Sequence, residues 1–557
     1  MLEKELSPIT IGGDDFKVLR DNGALYIDKT NFIMDLIKDT AVVTLVSRPR
    51  RFGKTLNLSM MRYFFDIRVD YSYLFNGLNI KEFDKYNEYV NKYPVISLSL
   101  KECKQDSYDD FLKELKDIVA TVYFEYKYIL DKDLYSVADK NYFNDILSLS
   151  ADISAYKKCL LILSRMLYQY YEKEVYIFLD EYDAPIQAGW LNDYYDEIVL
   201  FMQAFMGSAF KGNTALKQGL ITGVTRVSGA DLFSSFNNLS VCSVIETKYS
   251  QYFGFTKEEV ISMLDKYNLS DQYNAIKEMY DGYLFGKTNI YNPWSILSYL
   301  NDTEHTIKPY WVNTGGTDIV KRVIEESDIG IKQQFDNLII TKSIVDVVIS
   351  ENLSLNNMND NDIWSLLVYA GYLTPIEFID SSYYVEGSRG ITLRVPNMEV
   401  GYNLKVIISN WFKEKIGSKS SLSIAVKECD MASFKKEFER LVITSFSYYD
   451  VTETQDEYFY HAFVLGLMAS SSFKIESNKE VGYGRPDIIA SNEEYCYIFE
   501  LKKCENRSFD KTIKQAFKQI EEKKYNINYQ DKKIIKIAIA FDKKKCKVEY
   551  RGENILI

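Results

Sequence analysis

Arg48-Pro49-Arg50-Arg51-Phe52-Gly53-Lys54-Thr55 is the stretch on which the reading of this chain turns. It follows an apolar run, Ala41 to Val46, broken only by Thr44, and precedes a stretch of helical character, Leu56 to Phe65. A strand, a loop and a helix in that order turn a Gly-Lys-Thr ending into a phosphate cradle. The lysine reaches the terminal phosphates, the threonine hydroxyl binds magnesium, and the first amides of the helix face the anion. Arg51, Phe52, Gly53, Lys54, Thr55 and Leu56 are therefore the candidate nucleotide-binding residues. The usual loop opens with a glycine five positions before the last one, and Arg48 stands there instead.

A second motif lies far downstream. Val175-Tyr176-Ile177-Phe178-Leu179 is continuously apolar and ends in Asp180-Glu181. This is the form of a buried parallel strand whose C-terminal end meets a ligand. Asp180 is the candidate magnesium partner of Thr55, and Glu181 the candidate polariser of the attacking water. Helices around Phe111–Tyr126 and Tyr156–Tyr171 would fill the interval. A third strand, Leu216 to Thr222, makes Thr222 a candidate γ-phosphate sensor and Arg226 a candidate charge-stabilising residue.

The chain has 557 residues, room for two to four domains; 46% are hydrophobic and 26% charged, as in ordinary soluble globular proteins. No apolar run approaches the roughly 18 residues of a membrane span, and no secretory signal is visible. Seven scattered cysteines without a Cys-x-x-Cys pair, and only His305 and His461, argue against zinc or a disulfide framework. The expectation is a reduced, cytoplasmic protein with no membrane partner. The net charge of −12 argues against a nucleic-acid coat. From Leu501 onward, however, Lys and Arg are about twice as frequent as Asp and Glu.

That basic region adjoins a second constellation. Gly484-Arg485-Pro486-Asp487-Ile488-Ile489-Ala490 and Tyr495-Cys496-Tyr497-Ile498-Phe499-Glu500-Leu501-Lys502 read as two strands around a polar turn. Alternation puts Glu500 and Lys502 on one face, with Leu501 pointing into a core. A register pairing Asp487 with Glu500 would gather two carboxylates and a lysine, which suits Mg²⁺ or Mn²⁺ and hydrolytic attack on phosphate. Glu457, at the start of an amphipathic helix over Tyr458–Met468, is a further candidate catalytic carboxylate. A first strand at Ile475–Val481, a helix over Lys511–Tyr525 and a last strand at Ile534–Phe541 complete a restriction-endonuclease-like order.

With both ends read, the chain resembles the bacterial AAA-ATPase-like proteins that carry a C-terminal PD-(D/E)XK nuclease-superfamily domain. The likeness rests on Asp15-Phe16, Tyr26-Ile27-Asp28-Lys29-Thr30, the arginine-rich loop before Lys54, and Leu179-Asp180-Glu181-Tyr182-Asp183-Ala184-Pro185. It continues in Tyr280-Asp281-Gly282-Tyr283, Tyr291-Asn292-Pro293-Trp294, Pro396-Asn397-Met398-Glu399, Gly484-Arg485-Pro486-Asp487 and Glu500-Leu501-Lys502. The resemblance implies an α/β fold class: a P-loop AAA-like parallel sheet with a helical lid, then a restriction-endonuclease-like α/β domain. The expected layout is an ATPase core over 1–250, a helical lid or winged-helix-like segment over 251–300, a mixed connecting region over 301–417 with a hairpin at Ser382–Val395, and a nuclease-like domain over 425–557. The implied function is ATP binding and hydrolysis coupled to a magnesium-dependent nuclease acting on DNA, with homo-oligomerisation possible. The rival is a nucleotide-switched scaffold whose nuclease-like fold binds nucleic acid or protein without cutting.

Overall fold

The computed structural model describes residues 6–226, 239–311, 318–327, 341–350, 358–379, 390–404, 421–445, 473–477, 486–504, 508–529, 531–542 and 545–553, with isolated positions between them. The chain divides into two compact units, one of residues 1–319 with 345–400, the other of 320–344 with 401–557.

The first unit is built on five parallel strands: β1 (Val43–Ser47), β2 (Val95–Ser99), β3 (Val175–Asp180), β4 (Leu216–Gly223) and β5 (Leu239–Cys242). Their order across the sheet is β2-β3-β4-β1-β5. Every residue of β1 and β3 is buried, which is why both read as unbroken apolar runs. β4 lies between them, so the ends of β1 and β3 flank the end of β4. The register pairs Val46 with Thr222 and Leu179 with Ile221, leaving the three C-terminal ends level. Parallel sheets bind ligands outside these ends where strand order reverses, and here β1 neighbours β4 and β5 rather than β2.

The helix Lys54–Phe65 leaves the β1 loop through Gly53, whose φ of +82° is the left-handed conformation glycine adopts without strain. At its far end Phe65 stacks on Tyr176 of β3 with ring centroids 4.0 Å apart. Helices Tyr108–Glu125 and Cys159–Tyr171 occupy the interval between β2 and β3. β2 and β5 complete the sheet without having been expected from the sequence.

The segment expected to be a helical lid does contain helices, the first being Lys257–Lys266. Thr256 and Glu259 close a capping box there, Glu259 amide to Thr256 Oγ1 at 3.3 Å and Thr256 amide to Glu259 Oε2 at 2.8 Å. It also contains an antiparallel hairpin of β6 (Tyr283–Phe285) and β7 (Thr288–Ile290), so it is not wholly helical.

The second unit carries a mixed five-stranded sheet, in order Lys474–Ser477, Ile488–Ser491, Tyr495–Lys503, Lys533–Asp542 and Lys545–Glu553. Only the third and fourth strands run parallel. The helix Phe509–Glu522 makes that crossover and covers one face through Ile513, Ala516, Phe517 and Ile520, against Ile498, Ile534 and Ala538. Lys533–Asp542 is followed by one more strand, so the expected last strand is not last. Glu457, Arg485, the expected helix over 458–468 apart from Val464, and most of the Ser382–Val395 hairpin lie outside the described residues. No helix among the described residues is long and apolar enough to cross a membrane.

Candidate functional site

At the ends of β1, β3 and β4 the structure brings Lys54, Thr55, Asp180, Glu181 and Thr222 into one neighbourhood. Asp180 is nearly closed to solvent, and its carboxylate takes bonds from the helix that follows β1 and from the end of β4. Thr55 Oγ1 donates to Asp180 Oδ2 at 2.6 Å, and Thr222 Oγ1 donates to Oδ1. The Glu181 amide donates to the same Oδ1 at 3.0 Å. Lys54 is buried, and its ammonium donates to the Arg48 and Pro49 carbonyls at 3.0 Å each. Burial pulls the Lys54 pKa below its ordinary value, opposed by the charges of Glu181, Asp180 and Asp183. Burial pushes the Glu181 carboxyl up, and the Lys54 ammonium is the principal charge pulling it down. A Cβ added to Gly53 would meet nothing within 4 Å, so the space beside this glycine is open.

Arg48 explains the absent first glycine. Its guanidinium is completely buried and donates to the carbonyls of Ser47 at 2.9 Å and Cys242 at 2.8 Å, with a longer bond to Lys248 at 3.4 Å. It also lies over the rings of Phe253 and Phe285, 5.5 and 5.3 Å from their centroids. Burial lowers its pKa to about 10, so it remains a cation at neutral pH. Charge-assisted bonds of this kind contribute about 1.5–3 kcal/mol each. Arg48 thus ties the first turn of the loop to β5 and to the 248–253 segment.

The rest of the loop divides by role. Phe52 is fully buried against Tyr283 and Phe285, leaving only its backbone to face an anion. Arg51, at φ +71°, lays its guanidinium over Trp294 at 4.1 Å. Arg50 is half-buried, and its charge acts on both Lys54 and Glu181. Leu56 is partly buried in the first helical turn. The Arg226 carbonyl accepts from the Leu353 amide at 3.0 Å. A groove of about 450 Å³ lined by Asp35, Asp39, Lys248 and Tyr249 is a separate feature. Its acids are already engaged, Asp39 by Lys248 at 2.6 Å and by Tyr249 at 2.7 Å.

The other residues that carry the family resemblance have structural work in this unit. Asp28 takes the Thr30 amide and hydroxyl at 2.8 and 2.6 Å, while Lys29 pairs with Glu259 at 2.6 Å. Glu399 is fully buried and accepts from Ser295 Oγ at 2.7 Å and from the Tyr310 and Trp311 amides at 2.7 and 2.8 Å. Gly282, at φ +114°, lets the chain pass so close to Pro396 that a Cβ would lie 2.1 Å from its carbonyl oxygen.

In the second unit, strand Ile488–Ser491 pairs with Tyr495–Lys503 in a register that matches Ile488 with Phe499. Extending that register by one residue sets Asp487 opposite Glu500. Asp487 Oδ2 accepts from the Leu501 amide at 2.7 Å. Glu500 is fully buried, with Lys502 Nζ 2.9 Å from its Oε1. Leu501 is buried as well. Tyr525, which the sequence reading placed at the end of a helix and not in the site, is almost fully buried and receives Gln519 Nε2 at 3.2 Å. Burial raises the Tyr525 pKa, and the charges of Glu500, Asp487 and Lys502 all act on it. Gly484 lies beside it, 3.3 Å from the Tyr525 ring by its missing Cβ. Among the described residues no group of three His, Cys, Asp or Glu side chains is assembled to hold a metal. The oxygen donors present, two carboxylates beside a lysine, are of the hard type that suits Mg²⁺ or Mn²⁺.

Comparison with known proteins agrees with this division. Residues 10–233 match the family model described as predicted AAA-ATPase, and residues 455–551 match that of the PD-(D/E)XK nuclease superfamily. A protein of Azotobacter chroococcum mcd 1, described as an uncharacterized protein in the vnfD 5′ region, is 22% identical over 531 residues, covering 94% of this chain and 93% of that one. The chain therefore carries an AAA-ATPase-like region followed by a region of the PD-(D/E)XK nuclease superfamily.

Proposed function

We propose that the first unit binds and hydrolyses ATP with Mg²⁺, and that the second cuts DNA with a divalent metal. The observation that carries the first half is the Thr55–Asp180–Thr222 cluster at the mouth of an open glycine loop. A triphosphate supplies the negative charge that would draw Lys54 off the Arg48 and Pro49 carbonyls. Mg²⁺ would be held by Thr55 and Asp180, hard oxygen donors, and supplies charge neutralisation for phosphoryl transfer. Glu181, beside Lys54, is the group that would orient and take a proton from water. Thr222 would report the terminal phosphate to β4. The division of labour proposed is an ATPase core over 1–250, a lid over 251–300, a connecting region over 301–417 and the nuclease-like part over 425–557.

The second half rests on Asp487, Glu500 and Lys502 meeting at one sheet end. Asp487 and Glu500 would hold the metal, and Lys502, 2.9 Å from Glu500, would orient water toward the scissile phosphate. The basic excess beyond Leu501 supports a polyanionic substrate. The proposed metal set has two carboxylates, which favours one rival: a scaffold that binds nucleic acid without cutting.

Plasmid incubated with the protein and Mg²⁺ or Mn²⁺, with and without ATP, tests both. Metal-dependent nicking lost in Asp487→Asn supports the nuclease. ATP turnover over intact plasmid favours the scaffold.

A further inference from the structure

We infer that Asp183 is a positioning residue for ATP hydrolysis, holding Glu181 in its left-handed backbone conformation at the end of β3. The inference rests on the ATPase reading above.

Asp183 stands at the N-cap of helix Ala184–Leu191, where an aspartate ordinarily caps its own helix amides. It does not do so here. Its carboxylate is buried and turned to the end of β4 instead. Asp183 Oδ2 accepts from the Val224 and Thr225 amides, both at 3.0 Å, from Thr225 Oγ1 at 3.1 Å and from Gln187 Nε2 at 2.9 Å. Neighbouring bonds close the same junction. The Tyr182 hydroxyl donates to the Thr225 carbonyl at 2.7 Å, and the Tyr182 amide to the Thr222 carbonyl at 3.1 Å. Gly223 makes the approach possible, since a Cβ there would lie 2.7 Å from the Tyr182 ring and 2.8 Å from Asp183 Oδ1.

Glu181 sits between the two anchors. Its amide is held by Asp180 on one side, and its carbonyl accepts from the Ala184 amide at 3.1 Å on the other. Its φ is +50°, a left-handed conformation that a residue with a side chain keeps only when its surroundings over-determine it. The junction built by Asp183 is that surrounding structure. Loosening it lets residue 181 relax to an ordinary conformation. The carboxylate then turns from the place where water would attack the terminal phosphate, while Lys54, Thr55 and Gly53, which would grip the phosphates, stay on the β1 loop.

The test separates turnover from affinity in the full-length chain. Asp183→Asn and Asp183→Ala are compared with Thr225→Val and Tyr182→Phe, which each remove one bond of the junction with little change in volume. Each protein is assayed for MgATP affinity by fluorescent-nucleotide displacement and for single-turnover hydrolysis. The expected result is a hydrolysis rate at least about 10-fold lower in Asp183→Ala, as for loss of a positioning contact, with affinity within a few-fold of wild type. Thr225→Val and Tyr182→Phe should show smaller losses of the same kind. Should Asp183→Ala not fold, those two carry the comparison. Rates equal to wild type throughout, or rate and affinity falling in proportion, would overturn the inference. A wild-type protein that binds ATP but keeps its rate in all four variants refutes this inference alone; one that binds no ATP refutes the reading beneath it.

Discussion

Replacing Gly53 by alanine separates the fold from the phosphate site. The residue lies at φ +82°, where an L side chain costs about 1–2 kcal/mol. A Cβ there would touch nothing within 4 Å, so no packing is lost and no neighbour must move. The structural penalty is then the conformational term alone. For a unit of this size that corresponds to a fall of roughly 1–1.5 °C in Tm per kcal/mol. On the proposed reading, however, the new methyl takes up open space beside the loop amides that would face a phosphate. Wild-type protein at a nucleotide concentration of about 100 times Kd gains about 2.7 kcal/mol from binding, a rise of about 3 °C in Tm. Thermal melts of both proteins with and without MgATP read the two effects independently. The variant should melt about 1–3 °C lower without nucleotide and show no nucleotide-dependent rise. A nucleotide-dependent rise equal to that of wild type would refute the reasoning, because the loop would then not be the phosphate cradle.

Other outcomes follow from the same physical reading. Burial raises the Glu399 pKa, so the folded chain keeps that proton to higher pH than the unfolded chain does. Stability from this group is therefore full below the unfolded carboxylate range and falls as pH rises toward the folded pKa. In Glu399→Gln the amide oxygen can accept from Tyr310 and Trp311 and the amide nitrogen can donate to Ser295; urea melts should show the variant more stable than wild type at pH 7.5 and the difference shrinking at pH 4.5. Gly282→Ala should destabilise the first unit by about 3 kcal/mol or more, since its Cβ would meet a carbonyl oxygen at 2.1 Å in a left-handed backbone, and chemical denaturation measures it. Asp487→Asn keeps an oxygen for the Leu501 amide but loses the charge; its melting temperature should lie within a few degrees of wild type while metal-dependent nicking disappears.

The parts of the fold legible in the sequence were those where burial is complete. β1 and β3 are covered on both faces, and such strands must be written in unbroken apolar residues. The edge strands were not legible. β5 is only four residues long and mostly half-buried, and Lys545–Glu553 alternates charged residues with a single fully buried Val548. β2, with its Val-Ile-Ser-Leu-Ser pattern, is a half-covered strand too short for its alternation to stand out in the sequence.

The same contrast holds in the site. Lys54, Thr55 and Asp180 follow from residue type and setting, because their chemistry dictates their spacing from strand ends. Arg48 does not, because nothing in the sequence tells a surface arginine from one whose guanidinium answers three backbone carbonyls. Asp183 was visible only as a letter in a motif. Its contacts are made with residues about 40 positions away and depend on which strand lies beside β3.

Calorimetric titration of MgATP into wild-type protein and Lys54→Ala tests the central claim most directly. The account predicts saturable binding at one site in the wild type and none measurable in the variant, with both proteins folded by circular dichroism. Equal affinity in the two would contradict it.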